Sequence, residues 1–62
     1  MIPKFFHGDR VFIIPLKDVR GMPARVTDVH NYRTYVEYDV RWFVDSKPVT
    51  ARVFEDELEA HK

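Results

Sequence analysis

Apolar and polar residues alternate along residues 35–44, and this alternation is the strongest structural signal in the chain. One face of an extended strand would hold Val36, Tyr38, Val40, Trp42 and Val44. A period of two over that length, in β-branched and aromatic side chains, is typical of a strand with one buried face. The pattern therefore predicts an all-β protein with Trp42 as its largest core residue.

Turn-forming residues mark a first strand near the N-terminus. Gly8-Asp9 is a turn signal, and the run over residues 10–14 that follows it is mostly apolar. Pro15 ends this run, because proline cannot donate a hydrogen bond to a strand ladder. Residues 16–21 are then predicted to form a charged loop.

A second strand is predicted over residues 22–29, with Ala24 and Val26 on one face. Val29 is out of phase with that face, so a β-bulge is expected near Thr27-Asp28. Residues 30–33 read as the next turn, with Asn31 suited to a positive φ.

The C-terminal third predicts a hairpin and a closing segment. Asp45-Ser46-Lys47-Pro48 reads as the hairpin turn, and residues 49–54 return as the partner strand. Residues 55–59 form either a short 3₁₀ turn or a fifth strand, with Leu58 closing one end of the core. The predicted organisation is an N-terminal arm over residues 1–7, a barrel over residues 8–59 and a tail over residues 60–62.

Composition narrows the class of protein. A chain of 62 residues has room for one domain with one modest core. The absence of cysteine excludes disulfides and thiolate zinc sites, and it is compatible with the reducing cytoplasm, where we expect the protein. The first residues lack a long apolar run, so neither a secretory signal nor a membrane span is expected.

Charge is balanced in total but uneven along the chain. Residues 1–34 hold six basic and three acidic groups, whereas residues 35–62 hold four basic and seven acidic groups. The net charge of zero removes the main driving force for nonspecific nucleic-acid binding.

Several short strands with regular turn signals suggest a small five-stranded SH3-like (Tudor-like) barrel. Three motifs resemble the YodC-like family of small bacterial proteins: Gly21-x-Pro23-x-x-Val26-Thr27, Arg41-Trp42-Phe43 and Phe54-Glu55-Asp56-Glu57-Leu58. A broader pattern is similar to the barrels of the PsaE subunit of photosystem I, of the ferredoxin–thioredoxin reductase variable chain and of the nitrile hydratase β subunit. That pattern consists of Gly8-Asp9-Arg10-Val11, Gly21 with Ala24-x-Val26, Tyr38-x-Val40-x-Trp42 and the same segment from Phe54 to Leu58. The resemblance to the YodC-like family implies a bacterial or phage-encoded accessory protein.

One enzyme of this fold class, the plasmid-encoded type II dihydrofolate reductase, resembles the chain in length and in Gly8-Asp9-Arg10-Val11. That family grips its ligands with a Val-Gln-Ile-Tyr segment in a pore made by four subunits. The corresponding segment here is Ala51-Arg52-Val53-Phe54, where arginine replaces the glutamine and the tyrosine hydroxyl is missing. These departures argue against reductase activity.

Other chemistry is weakly represented, and we expect no catalytic residue, cofactor or metal. Asp28-x-His30 could aim two ligands from one strand, but no third ligand is evident. The acidic residues between 55 and 59 read as a solvated turn. No hydroxyl is paired with a base by any known motif, and the two glycines form no phosphate loop.

Binding is the favoured class of function, with a protein partner preferred over nucleic acid. The candidate contact residues are Tyr32, Arg33, Tyr35, Arg41 and Phe43. Barrels of this class use such aromatic side chains to receive peptides, methylated side chains or bases.

Two other uses of these side chains are open: Tyr35 and Phe43 complete the core, or they serve a homodimer. A nucleic-acid groove would bring Arg25 and Arg52 to the same place, but Glu37 and Asp39 share the outer face with Arg41 and would repel phosphates.

Overall fold

The computed structural model describes residues 2–14 and 22–60, which form five strands and one 3₁₀ turn. In chain order these are β1 (Arg10–Ile13), β2 (Met22–Asn31), β3 (Val36–Val44), β4 (Lys47–Phe54), the 3₁₀ turn (Glu55–Glu57) and β5 (Leu58–Ala60). They make one antiparallel sheet in the order β4-β3-β2-β1-β5. The all-β, five-stranded prediction is confirmed. The architecture is barrel-like, although the described strands do not close the sheet. The predicted loop over residues 16–21 lies outside the described residues.

The inner face of β3 supplies the centre of the core. Val36, Tyr38 and Val40 are buried as predicted, but Val44 is 50% exposed. Trp42 is only partly buried and packs against the edge of the core, whereas Tyr38 is the largest fully buried side chain. The prediction that Trp42 is the main core residue is therefore wrong. It lies at the hairpin end of β3, two residues before the last residue of the strand, Val44, which is exposed.

The predicted bulge in β2 is confirmed, and it decides which residues reach the core. The β2–β3 register shifts between Val26 and Asp28, so that Val26 faces Val40 and Val29 faces Tyr38. The extra residue returns Val29 to the inner face, where it packs against the core. The predicted turn over residues 30–33 is wrong at its start, because β2 continues through Asn31, which has no positive φ. Ladder bonds to β3 hold that residue extended.

The β3–β4 hairpin turn is tighter than predicted. It consists of Asp45 and Ser46 alone, with φ values of 50° and 65°, and the pair Val44–Lys47 closes it. Two central residues with positive φ define a type I′ turn, whose twist matches that of the flanking strands. Lys47 and Pro48 belong to β4, an edge strand, where proline is tolerated.

Both alternatives for the C-terminal segment occur, one after the other. The 3₁₀ turn leads directly into β5, and Leu58 is buried opposite Ile13 of β1. The N-terminal arm adds Phe5 to the same core. Its ring meets the Tyr38 ring edge to face, with 5.5 Å between the ring centroids.

Candidate binding surfaces

The five predicted contact residues fall into two groups at opposite ends of β3. Tyr32, Arg33 and Tyr35 lie at or just after the turn between β2 and β3, whereas Arg41 and Phe43 lie near the β3–β4 hairpin. Tyr35 and Phe43 are eight positions apart in the chain, a distance of roughly 26 Å along an extended strand. Tyr35 is 43% exposed and Phe43 is 64% exposed, so the alternative in which they complete the core is wrong. The residues form two surfaces, not one.

The first surface is a ring cluster made by Tyr32, Tyr35 and Phe54. The rings of Tyr32 and Tyr35 are stacked, with 4.7 Å between centroids, and Phe54 meets Tyr35 edge to face at 6.0 Å. A hydrogen bond of 2.9 Å from the Tyr32 amide to the Tyr35 carbonyl closes the turn and fixes their spacing. Phe54 was not among the residues predicted from the sequence. The alternation in β4 could have indicated it, because Val53 faces inward and the next residue must then face outward.

A groove of about 330 Å³ runs beside the ring cluster. Tyr35, Val36 and Phe54 give it an apolar floor, while one basic residue and two acidic residues also line its rim: Lys4, Glu55 and Asp56. A few polar groups around an apolar floor are the usual make-up of a site that orients a ligand. The 3₁₀ turn positions this rim, because the Phe54 amide donates to Glu57 Oε1 at 2.9 Å.

Glu55 has a structural role in the same region. Its Oε2 accepts a hydrogen bond of 2.7 Å from the Tyr38 hydroxyl and one of 3.2 Å from the Lys4 amide. Burial, followed by the hydrogen bond to Glu55, raises the pKa of Tyr38 above its ordinary value. The reading of residues 55–59 as a merely solvated acidic turn is therefore wrong at Glu55.

The second surface centres on Arg41 and Phe43 on the outer face of the sheet. The Arg41 guanidinium carbon lies 5.9 Å from the centre of the Phe43 ring, within cation–π range. Both side chains line an open depression of about 420 Å³, together with Pro23 and Trp42. The floor of this surface is apolar and its charge is positive.

Asp39 is held between two basic side chains on the outer face. Arg52 Nε donates to its Oδ1, and His30 Nε2 lies beside its Oδ2, both at 2.9 Å. The hydrogen bonds from Arg52 and then from His30 lower the pKa of Asp39. Arg52 is thus occupied within the sheet and does not join Arg25 and Arg41 in a common groove.

The expectation that Asp28 and His30 lack a third ligand is wrong. Ligand atoms of Asp28, His30 and Asp39 lie within 4.8 Å of one another, because the bulge sets Asp28 directly opposite Asp39. This proximity depends on the β2–β3 register, which could not be predicted from the sequence. A cation placed there would have to compete with the Arg52 guanidinium for Asp39. We therefore assign these groups to a cross-strand charge network.

This network predicts a pH-dependent stability. Asp39→Asn should lower the urea midpoint at pH 7, because the neutral amide loses the charge-assisted bonds to Arg52 and His30. The lowered pKa means that this stabilisation is complete above the ordinary Asp value of about 3.9 and is lost as the pH falls through the folded value. The difference between the two proteins should thus shrink below about pH 4.

The matched control is Asp28→Asn, which removes the same charge from the directly opposite position. It relieves a like-charge pair and keeps an oxygen that can accept the bond from the Val29 amide. Its urea midpoint at pH 7 should equal or exceed that of the wild type. Equal losses in both variants would contradict the assignment.

Comparisons with protein-family models, with curated proteins and with solved structures gave no match. Across the described residues, no helix is both long and apolar enough to cross a membrane. The geometry of the two surfaces is therefore the basis on which a function can be assigned.

Proposed function

We propose that this protein is a non-enzymatic binding module that receives a protein partner at the ring cluster. The observation that carries the proposal is the exposed set of three packed rings beside an apolar groove. Exposed aromatic side chains that are already ordered lose little conformational entropy on binding, and they are enriched where proteins bind one another.

The groove chemistry favours an extended peptide segment as the partner. Its apolar floor suits one or two apolar side chains, and its rim offers Lys4 to an acidic group and Asp56 to a basic group. Arg33, in the adjoining turn, adds a further positive charge. The cysteine-free composition suits a partner met in a reducing compartment such as the cytoplasm.

A reductase-like activity is less well supported. The segment that would grip its ligands includes Arg52, whose Nε is bonded to Asp39, and Phe54, which has no hydroxyl. Binding of a partner at the ring cluster needs neither a free polar side chain at Arg52 nor a hydroxyl at Phe54.

The test is capture of partners from the native host on immobilised protein. The baits are the wild type, Tyr35→Ala, Phe54→Ala and the control Phe6→Ala, which removes an exposed ring outside the cluster. We expect one partner on the wild type and on Phe6→Ala that is lost from both cluster variants. Retention of the same proteins on all four baits, or loss from all three variants alike, would contradict the proposal.

A further inference from the structure

Three arginines stand side by side across neighbouring strands of the sheet. Arg10 of β1 is directly opposite Arg25 of β2, and Arg25 is directly opposite Arg41 of β3. All three are exposed on the outer face. Adjacent strands lie about 4.8 Å apart, so this arginine row spans roughly 10 Å at the backbone.

The arginine row is an unfavourable arrangement for the protein alone. Like charges directly opposite each other destabilise a sheet, and the row contains two such pairs. Among the described residues, no carboxylate forms an ion pair with any of the three; Arg25 donates only to the Gly8 carbonyl, at 3.2 Å. Asp39, the acid next to Arg41 on the outer face of β3, is already bonded to Arg52 and His30. The positive charge of the row is therefore available to a ligand.

A second row, largely apolar, runs parallel to the arginine row on the same face. Two residues further along the strands come Phe12, Pro23, Phe43 and Pro48, with Glu59 at the β5 end. The two rows lie about 7 Å apart, the rise of two strand residues. The open depression of about 420 Å³ contains all three arginines together with Pro23 and Phe43. Phe43 presents the most exposed ring of this row.

We propose that the arginine row and Phe43 bind single-stranded nucleic acid. Phosphates lie along the three guanidinium groups, and a base stacks on the Phe43 ring. The parallel rows match the two parts of a nucleotide, a charged backbone and a flat base beside it. An acidic peptide would use the arginines but not the ring, and a duplex keeps its bases away from the ring.

Glu37 and Asp39, the two acidic residues expected from the sequence to repel phosphates, do not block this surface. Asp39 lies on the far side of the row from Phe43, and its two oxygens are already bonded to Arg52 and His30. Glu37 lies two residues further away along β3. The proposed surface is separate from the ring cluster, so the failure of either proposal leaves the other standing.

The test is the fluorescence anisotropy of a labelled oligo(dT) of twelve nucleotides, titrated with the full chain at several salt concentrations. Each phosphate of a single strand that is neutralised contributes about −0.7 to the slope of log affinity against log salt concentration, so three arginines predict a slope of about −2. Arg25→Gln should weaken binding and reduce the size of that slope by about 0.7. Phe43→Ala should weaken binding roughly 5- to 150-fold and leave the slope unchanged, because it removes stacking but no charge.

Two controls separate this surface from general effects of charge and exposed rings. Arg33→Gln removes an equal charge at the opposite end of β3, and Phe6→Ala removes an equally exposed kind of ring elsewhere; neither should change the affinity appreciably. The proposal is overturned if the wild type does not bind, or if Arg33→Gln acts like Arg25→Gln. It is also overturned if a duplex or a poly-glutamate peptide binds as tightly as oligo(dT).

Discussion

Tyr38→Phe is expected to lower the free energy of unfolding by about 1–3 kcal/mol, and Tyr38→Ala by about 3–5 kcal/mol. The hydroxyl donates to Glu55 Oε2 at 2.7 Å and accepts from the amides of Lys4 at 3.0 Å and Phe5 at 3.3 Å. It thus joins the N-terminal arm and the 3₁₀ turn to the centre of the sheet. Phenylalanine keeps the buried ring and leaves these partners without the hydroxyl, whereas alanine also opens a cavity.

Urea unfolding followed by the fluorescence of Trp42 measures both changes. The control is Tyr35→Phe, because the Tyr35 hydroxyl makes no hydrogen bond within the described part of the chain. That variant should unfold within about 0.5 kcal/mol of the wild type, as surface changes usually do. Similar losses for Tyr38→Phe and Tyr35→Phe would refute the bridging role of the Tyr38 hydroxyl.

Leu58→Ala is the second large effect, with an expected loss of about 2–5 kcal/mol. Leu58 is the only buried residue of the three-residue β5, and it lies opposite Ile13 in the core. A strand this short has little else to hold it on β1. Truncation should therefore also speed hydrogen exchange of the Ile14 amide, which donates to the Glu57 carbonyl at 2.9 Å.

Glu59→Ala is the matched control for Leu58→Ala, since Glu59 is the next residue of β5 and is exposed. Its free energy of unfolding should stay within about 0.5 kcal/mol of the wild-type value. A folded Leu58→Ala protein with unchanged stability and unchanged exchange would show that β5 is dispensable.

Local patterns in the sequence were sufficient for the elements of the fold. The period of two in β3, the phase break at Val29 and the turn residues near Asp45 each depend on neighbours a few positions away. The burial of Trp42 could not be predicted in this way. How deeply an inward-facing residue is buried depends on what covers that point of the sheet, and the alternation within one strand carries no information about that.

The candidate surfaces were only half predictable for the same reason. The outward directions of Tyr35 and Phe43 follow from alternation, but their exposure depends on the curvature of the sheet. The pairing of Arg10 with Arg25 depends on the β1–β2 register, and the approach of Asp28 to Asp39 depends on the bulge. Cross-strand registers bring together residues that are far apart in the chain, so these contacts cannot be predicted from a short motif.

The binding function proposed for this protein uses two separate surfaces at opposite ends of β3. The most direct measurement is the backbone-amide NMR spectrum of the labelled protein, recorded alone, with oligo(dT), and with the partner captured by the wild-type bait. Oligo(dT) should change the amide chemical shifts of Arg10, Arg25, Arg41 and Phe43. The protein partner should change those of Tyr32, Tyr35 and Phe54. Two results would contradict this: chemical-shift changes at the same residues with both ligands, or no chemical-shift changes with either ligand.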